Sequence, residues 1–208
     1  MKKYLVEFIG TFFLVFTVGA TVISPGAGSL APVAIGAALM VMVYAGGHIS
    51  GGHYNPAVTL AVWIRGKCET RDVIPYWIVQ ILGAFVAAWL IGKFKMQGAA
   101  NPLAMPGWKA AFVAEFLFTF ALCWVVLNVA TSKATANNSF YGAAIGMTVM
   151  VGAFAVGGIS GGAFNPAVAT GITRMGLSFW NNYWVLIGGE VAGSIAAAVA
   201  YKFVNGGE

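Results

Sequence analysis

The sequence predicts an all-α integral membrane protein with six transmembrane helices and two re-entrant half-helices, arranged as an inverted repeat. Three observations predict it. Of 208 residues, 60% are hydrophobic and only 8% charged, with a mean hydropathy of +0.84, far outside soluble globular usage. Six apolar segments are each long enough to cross a bilayer. The stretch His48-Ile49-Ser50-Gly51-Gly52-His53-Tyr54-Asn55-Pro56-Ala57-Val58 returns as Gly158-Ile159-Ser160-Gly161-Gly162-Ala163-Phe164-Asn165-Pro166-Ala167-Val168.

Taken in order, the spans run from Tyr4 to Ile23, Leu30 to Gly47, Val73 to Phe94, Ala110 to Ala130, Tyr141 to Val156 and Phe179 to Phe203. All are read as helices, because a helix satisfies its own backbone in lipid and an open strand does not. The first run follows only Lys2 and Lys3 and has no small-residue cleavage site behind it, so it reads as a mature span, not a signal peptide.

The two repeated stretches each predict a half-helix. A glycine-rich segment, read as extended, ends at Asn55 or Asn165, residues suited to an N-cap. Pro56 or Pro166 follows at the first helical position, where a missing N–H costs nothing. The helices then end near Arg65-Gly66-Lys67 and near Arg174. At roughly ten residues and about 1.5 Å per residue, each reaches about half of a bilayer some 30 Å thick.

The repeat extends beyond these motifs. At an offset of 165 − 55 = 110, Ala34-Ile35-Gly36 falls on Ala144-Ile145-Gly146, and Gln80 with Gly83 falls on Glu190 with Gly193. Glu7-Phe8-Ile9-Gly10-Thr11-Phe12 matches Glu115-Phe116-Leu117-Phe118-Thr119-Phe120 at 115 − 7 = 108. The chain is therefore read as a single domain, 1–208, with repeats of approximately 1–107 and 108–208. Three crossings per half make the second half lie upside down, and such repeats place their functional site near the midplane.

Two half-helices entering from opposite faces would bring their positive N-termini and both Asn amides to one point, where a cation is repelled. Unused backbone carbonyls in the approaches would accept hydrogen bonds from a single file of uncharged molecules. The arrangement thus points to a passive channel for small uncharged, hydrogen-bonding molecules.

The net charge of +5 does not indicate a nucleic-acid partner: there is no basic run, and Lys and Arg sit at the ends of apolar segments. An N-terminus inside places Lys2, Lys3, Arg65, Lys67, Arg71, Lys133 and Lys202 in the cytoplasm and leaves Lys93, Lys95, Lys109 and Arg174 outside. The expected location is the cell membrane, inner or plasma, with both termini cytoplasmic.

These residues carry a resemblance to the aquaporin, or major intrinsic protein, family. It spans essentially the whole sequence, through both Asn-Pro-Ala motifs, the approach at 48–53, the two Glu-containing openings and Tyr183-Trp184. The resemblance implies a homotetramer with one pore per subunit, and conduction of water or small neutral solutes. It also implies a pore centre at Asn55, Pro56, Ala57, Asn165, Pro166 and Ala167, and makes Glu7 and Glu115 buried braces for loop N–H groups. An outer filter is implied at Ile35, Ala153, Gly162 and Val168. Water-strict members are similar to one another in having an aromatic, a His, a small residue and an Arg there. Val168 in place of the Arg resembles the plant vacuolar-membrane members that also pass urea, ammonia or hydrogen peroxide. Glycerol facilitators keep the Arg and follow it with Asp, whereas Ala169 follows here. A polar residue of the loop after the third span, Lys95, Gln97 or Asn101, is an alternative source of a narrow mouth.

Other features point away from competing classes. His48 and His53 lack acidic or Cys ligands at a suitable spacing, so no metal is expected, and no cofactor either. Cys68 in a loop and Cys123 inside a span do not suggest a disulfide. An enzyme would need a nucleophile, base or metal constellation that the sequence does not offer, so no enzymatic activity is expected. A glycerol or polyol facilitator and a closed-pore structural protein of the same fold remain alternatives; an occluding bulky residue would mark the latter. Gly83, Gly189 and Gly193 are read as close-packing positions between helices.

Overall fold

The computed structural model describes residues 1–95 and 100–206. Their α-helices are α1 Lys2–Val22, α2 Ala31–Ser50, α3 Pro56–Ile64, α4 Thr70–Phe94, α5 Trp108–Thr131, α6 Tyr141–Ser160, α7 Pro166–Arg174 and α8 Tyr183–Val204. Six of them have the length and composition of transmembrane helices. The other two, α3 and α7, have nine residues each, or about 14 Å at 1.5 Å per residue.

Two boundaries differ from the sequence reading in an informative way. The apolar runs break at Gly46-Gly47 and near Gly157-Gly158, yet α2 continues to Ser50 and α6 to Ser160. Only 51–55 and 161–165 are non-helical, so the segments expected to be extended from residues 48 and 158 are shorter than that. The true stops are Gly51 (φ 90°) and Gly161 (φ 99°), whose N–H groups close the last turns on Gly47 O and Gly157 O. A left-handed residue ends a helix, and glycine adopts that conformation without a Cβ clash. Of the glycines passed over, Gly46 is held against Tyr54 and Val6, while Gly157 and Gly158 have open space around them. At its start, α8 is preceded by a 3₁₀ turn, Trp180–Asn182, inside the stretch expected to be a regular span.

The main packed pairs are α1 with α4, α5 with α8, and α2 with α6. Small residues make the crossings close. A Cβ on Gly36 would stand 2.7 Å from Gly146 O, one on Gly83 2.7 Å from Phe8 O, and one on Gly189 2.8 Å from Phe112 O. Gly193 likewise abuts Phe116 O. The half-helices are enclosed by the long ones: α3 packs on α4, α5 and α8, and α7 on α1, α4 and α8. Apolar side chains left outside, such as Ile74, Ile78, Leu82, Phe85 and Trp89 of α4, recur every three or four residues and form a lipid-facing stripe.

Candidate functional site

Asn55 and Asn165 cap α3 and α7 through their side chains. Asn55 Oδ1 accepts from Ala57 N (2.8 Å) and Val58 N (3.4 Å), and Asn165 Oδ1 accepts from Ala167 N (2.9 Å) and Val168 N (3.4 Å). Each cap fixes the direction of its amide nitrogen. Asn55 Nδ2 donates to Phe164 O and Asn165 Nδ2 to Tyr54 O, both at 2.9 Å. The two motifs, 110 residues apart in sequence, are thus cross-linked by a reciprocal pair of buried hydrogen bonds.

The residues before the caps are held in an unusual backbone conformation. Tyr54 (φ 49°) and Phe164 (φ 48°) are both left-handed, which costs a non-glycine residue on the order of 1–3 kcal/mol unless its surroundings enforce it. Carboxyl groups enforce it here. Glu7 Oε2 accepts from Tyr54 N (2.6 Å), and Glu7 Oε1 accepts from His53 N (2.9 Å) and Ser50 Oγ (2.7 Å). In the other half, Glu115 accepts from Phe164 N (2.7 Å), Ala163 N (3.1 Å) and Ser160 Oγ (2.6 Å). The aromatic rings are buried in spaces that glycines leave: Gly10 and Gly46 around Tyr54, Gly152 beside Phe164.

Several supporting groups were not assigned a role from the sequence. Gln80 Nε2 donates to Glu7 Oε2 (2.9 Å) and Thr59 Oγ1 (3.1 Å). His53 Nδ1 lies 3.0 Å from Thr59 Oγ1, and Tyr76 Oη donates to Ser50 O. Glu190 Oε1 accepts from Asn165 N at 3.0 Å. A buried polar side chain in an apolar span is the signal that marks Gln80 and Glu190; it gives no partner.

A narrow cavity of about 60 Å³ passes both asparagines. It is lined by Asn55, Asn165, His53 and the loop glycines on one side, and by Leu14, Val18, Leu39, Val126 and Val149 among others on the rest. Wider cavities adjoin it at each end. One of about 290 Å³ shares His53 and Val126 with it and reaches Lys67. The other, about 280 Å³, shares Val18, Val22, Ile35, Ala153 and Gly161 and reaches Asn101 and Leu177. Shared lining residues thus join the three, with both asparagines set in the wall of a mainly apolar central cavity. The apolar lining residues carried no distinguishing mark in the sequence, since a pore-facing Val and a core Val recur with the same helical period.

All four expected filter residues, Ile35, Ala153, Gly162 and Val168, line the central cavity, with Ile35 and Ala153 also at its junction with the mouth that holds Asn101. Pro56, Ala57, Pro166 and Ala167 are buried behind the asparagines and do not line it. Lys95 turns away: its Nζ donates to Ile23 O (3.2 Å) and to Pro25 O, and it lines a separate cavity with Lys93 and Arg174. Of the three loop residues considered for narrowing the mouth, Asn101 alone is placed there, and Gln97 lies outside the described residues.

The model of the family described as major intrinsic protein matches residues 1–201. The chain belongs to the major intrinsic protein family. Membership makes it an integral membrane protein and a passive channel for water and small solutes. Similar relatives include the glycerol uptake facilitator protein-like 6 of Lactiplantibacillus plantarum, 40% identical over 99% of this chain and 99% of that protein. Aquaporin NIP1-1 of Oryza sativa subsp. japonica is 38% identical over 99% of this chain and 75% of its own length. Aquaporin AqpM of Methanothermobacter thermautotrophicus is 33% identical over 98% and 97%. A solved aquaglyceroporin from Plasmodium falciparum has a TM-score of 0.84 over 98% of this chain and 96% of that one, at 22% identity, and shows the shared all-helical fold. The kinship with plant vacuolar-membrane members expected from Val168 gains no support from these relatives; the plant protein among them carries a NIP name. Four filter positions are too few to set chain-wide similarity.

Proposed function

We propose that this major intrinsic protein passes water together with ammonia, hydrogen peroxide and urea, and excludes ions at a pore centre formed by Asn55 and Asn165. The observation that carries the reading is the reciprocal pair of Nδ2 hydrogen bonds, set in the narrow middle of a path with wider cavities at both ends. Two helix N-termini converge there, and a cation would meet their positive ends and two amide donors.

In the same reading, Ile35, Ala153, Gly162 and Val168 form a filter with no fixed charge, wider and more apolar than one built with Arg and His. Glu7 and Glu115 act as braces that hold Tyr54 and Phe164 in place. The chain is one domain of two inverted repeats, approximately 1–107 and 108–208, assembled as a homotetramer. It lies in the cell membrane with both termini cytoplasmic. Lys3 pairs with Asp72 at 2.5 Å, Arg65 lies over the Tyr201 ring, and Lys93, Lys95 and Arg174 share one cavity. That clustering supports the division of cations between the two faces made from sequence.

A second reading, a glycerol or small-polyol facilitator, is favoured by the 40% identity to a protein named as a glycerol uptake facilitator and by the apolar wall beside Val168. Stopped-flow light scattering on proteoliposomes, with water, urea, glycerol and ammonia gradients, tests both. The Val168→Arg, Ala153→His double variant should reduce urea or glycerol flux more than water flux. Native protein that already excludes every solute larger than water would refute the wide filter.

A further inference from the structure

We propose that Glu190 positions the second pore asparagine, and that it does so as a neutral carboxylic acid standing in for the amide of Gln80. The inference rests on reading Asn165 as part of the pore centre. It starts from a difference between the halves: at the offset of 110, the residue matching Gln80 is Glu190.

In the first half, the Gln80 amide is a donor, giving its Nε2 hydrogens to Glu7 Oε2 and Thr59 Oγ1. In the second half, Thr59 is replaced by Ala169, and the carboxyl beside Glu190 is Glu115. Both carboxyl groups are fully buried. Gly189, the preceding residue of α8, sits so close to α5 that a Cβ there would be 2.9 Å from Glu115 Cβ.

The donors around the pair are unevenly shared. Glu115 receives Ser160 Oγ, Ala163 N and Phe164 N. Glu190 receives one donor, Asn165 N on Oε1, and its Oε2 is buried with no hydrogen-bond partner among the described residues. Two acceptor-only groups in contact away from water repel each other and leave lone pairs unsatisfied. One proton resolves the conflict. Placed on Glu190, it turns that side chain into a donor toward Glu115, as Gln80 is toward Glu7, while Oε1 still accepts from Asn165 N.

The backbone hydrogen bond matters because Asn165 has three anchors: its N–H on Glu190, its Oδ1 on the α7 cap, and its Nδ2 on Tyr54 O. Loss of the first loosens a residue that lines the small central cavity.

The test compares wild type with Glu190→Gln and Glu190→Leu. The infrared difference between wild type and Glu190→Gln should show the C=O stretch of a protonated carboxyl group, present in wild type only. Glu190→Gln keeps both acceptor and donor, so its melting temperature should stay within a few degrees of wild type and its water permeability within about twofold, as a replaced hydrogen bond allows. Glu190→Leu removes the acceptor, and cation leak relative to water flux should rise about tenfold, the effect of one lost buried hydrogen bond. Absence of the band, or a Glu190→Gln protein as impaired as Glu190→Leu, overturns the neutral acid. Unchanged cation exclusion in a folded Glu190→Leu protein overturns the positioning role. If Glu190→Leu does not fold, Glu190→Ala with added small amides serves in its place, and failure of the amide to restore exclusion counts against the role. The infrared and melting measurements do not depend on conduction, so they separate this inference from the channel reading.

Discussion

Replacing Glu7 with Gln should be more damaging than replacing Glu190 with Gln, although both exchanges swap a carboxyl for an amide of the same shape. Glu7 receives four hydrogen bonds: Ser50 Oγ and His53 N on Oε1, Tyr54 N and Gln80 Nε2 on Oε2. An amide has one oxygen. Whichever way it turns, its NH₂ faces two of those donors. If it faces Tyr54 N and Gln80 Nε2, the Gln80 amide can flip to accept but Tyr54 N cannot; if it faces Ser50 Oγ and His53 N, the serine hydroxyl can rotate to accept but His53 N cannot. One buried backbone donor left unpaired, at about 1–3 kcal/mol, gives a loss of roughly 2 kcal/mol. Part of the support for left-handed Tyr54 goes with it. For a domain of this size, about 2 kcal/mol corresponds to a fall in melting temperature on the order of 5 °C. Thermal unfolding of the purified protein in detergent reads it directly, and water permeability of proteoliposomes should fall in parallel as the 51–54 loop loosens. A Glu7→Gln protein with the melting temperature and permeability of wild type would refute the hydrogen-bond argument.

Three further outcomes are expected. Asn55→Asp or Asn165→Asp replaces an amide donor that bonds Phe164 O or Tyr54 O with a carboxylate, so cation conductance in planar bilayers should rise; unchanged conductance in both would place the barrier elsewhere. Gly36→Ala puts a methyl group 2.7 Å from Gly146 O and should destabilise the α2 and α6 pair by about 1–3 kcal/mol, read as a lower melting temperature, while Gly92→Ala, with open space around it, should not. Burial, and to a lesser extent the nearby Asp72, pushes the Cys68 thiol up to about 11. Little reactive thiolate is then present near neutrality, so maleimide labelling should be slow there and accelerate as pH rises toward that value.

The membrane class, the six spans and the two short helices are legible in the sequence because each rests on local chemistry. Hydropathy over about twenty residues marks a crossing, and Asn followed by Pro marks a helix start wherever it occurs. The repeat adds that Glu7 and Glu115, or Asn55 and Asn165, occupy matching positions. What lies across the chain is another matter. That Asn55 bonds the carbonyl of Phe164 and Asn165 that of Tyr54 joins residues 109 and 111 apart, and no local pattern encodes it. The stops of α2 and α6 lie at Gly51 and Gly161, where the backbone turns left-handed; in α2 the earlier Gly46 is held against Tyr54, a contact only the tertiary structure makes. The left-handed Tyr54 and Phe164 exist only because carboxyl groups from α1 and α5 capture their N–H groups. The unequal surroundings of Gln80 and Glu190 follow from the same cause: the sequence places a polar group in an apolar span, and the packing of α1 on α4 and of α5 on α8 decides which partner satisfies it.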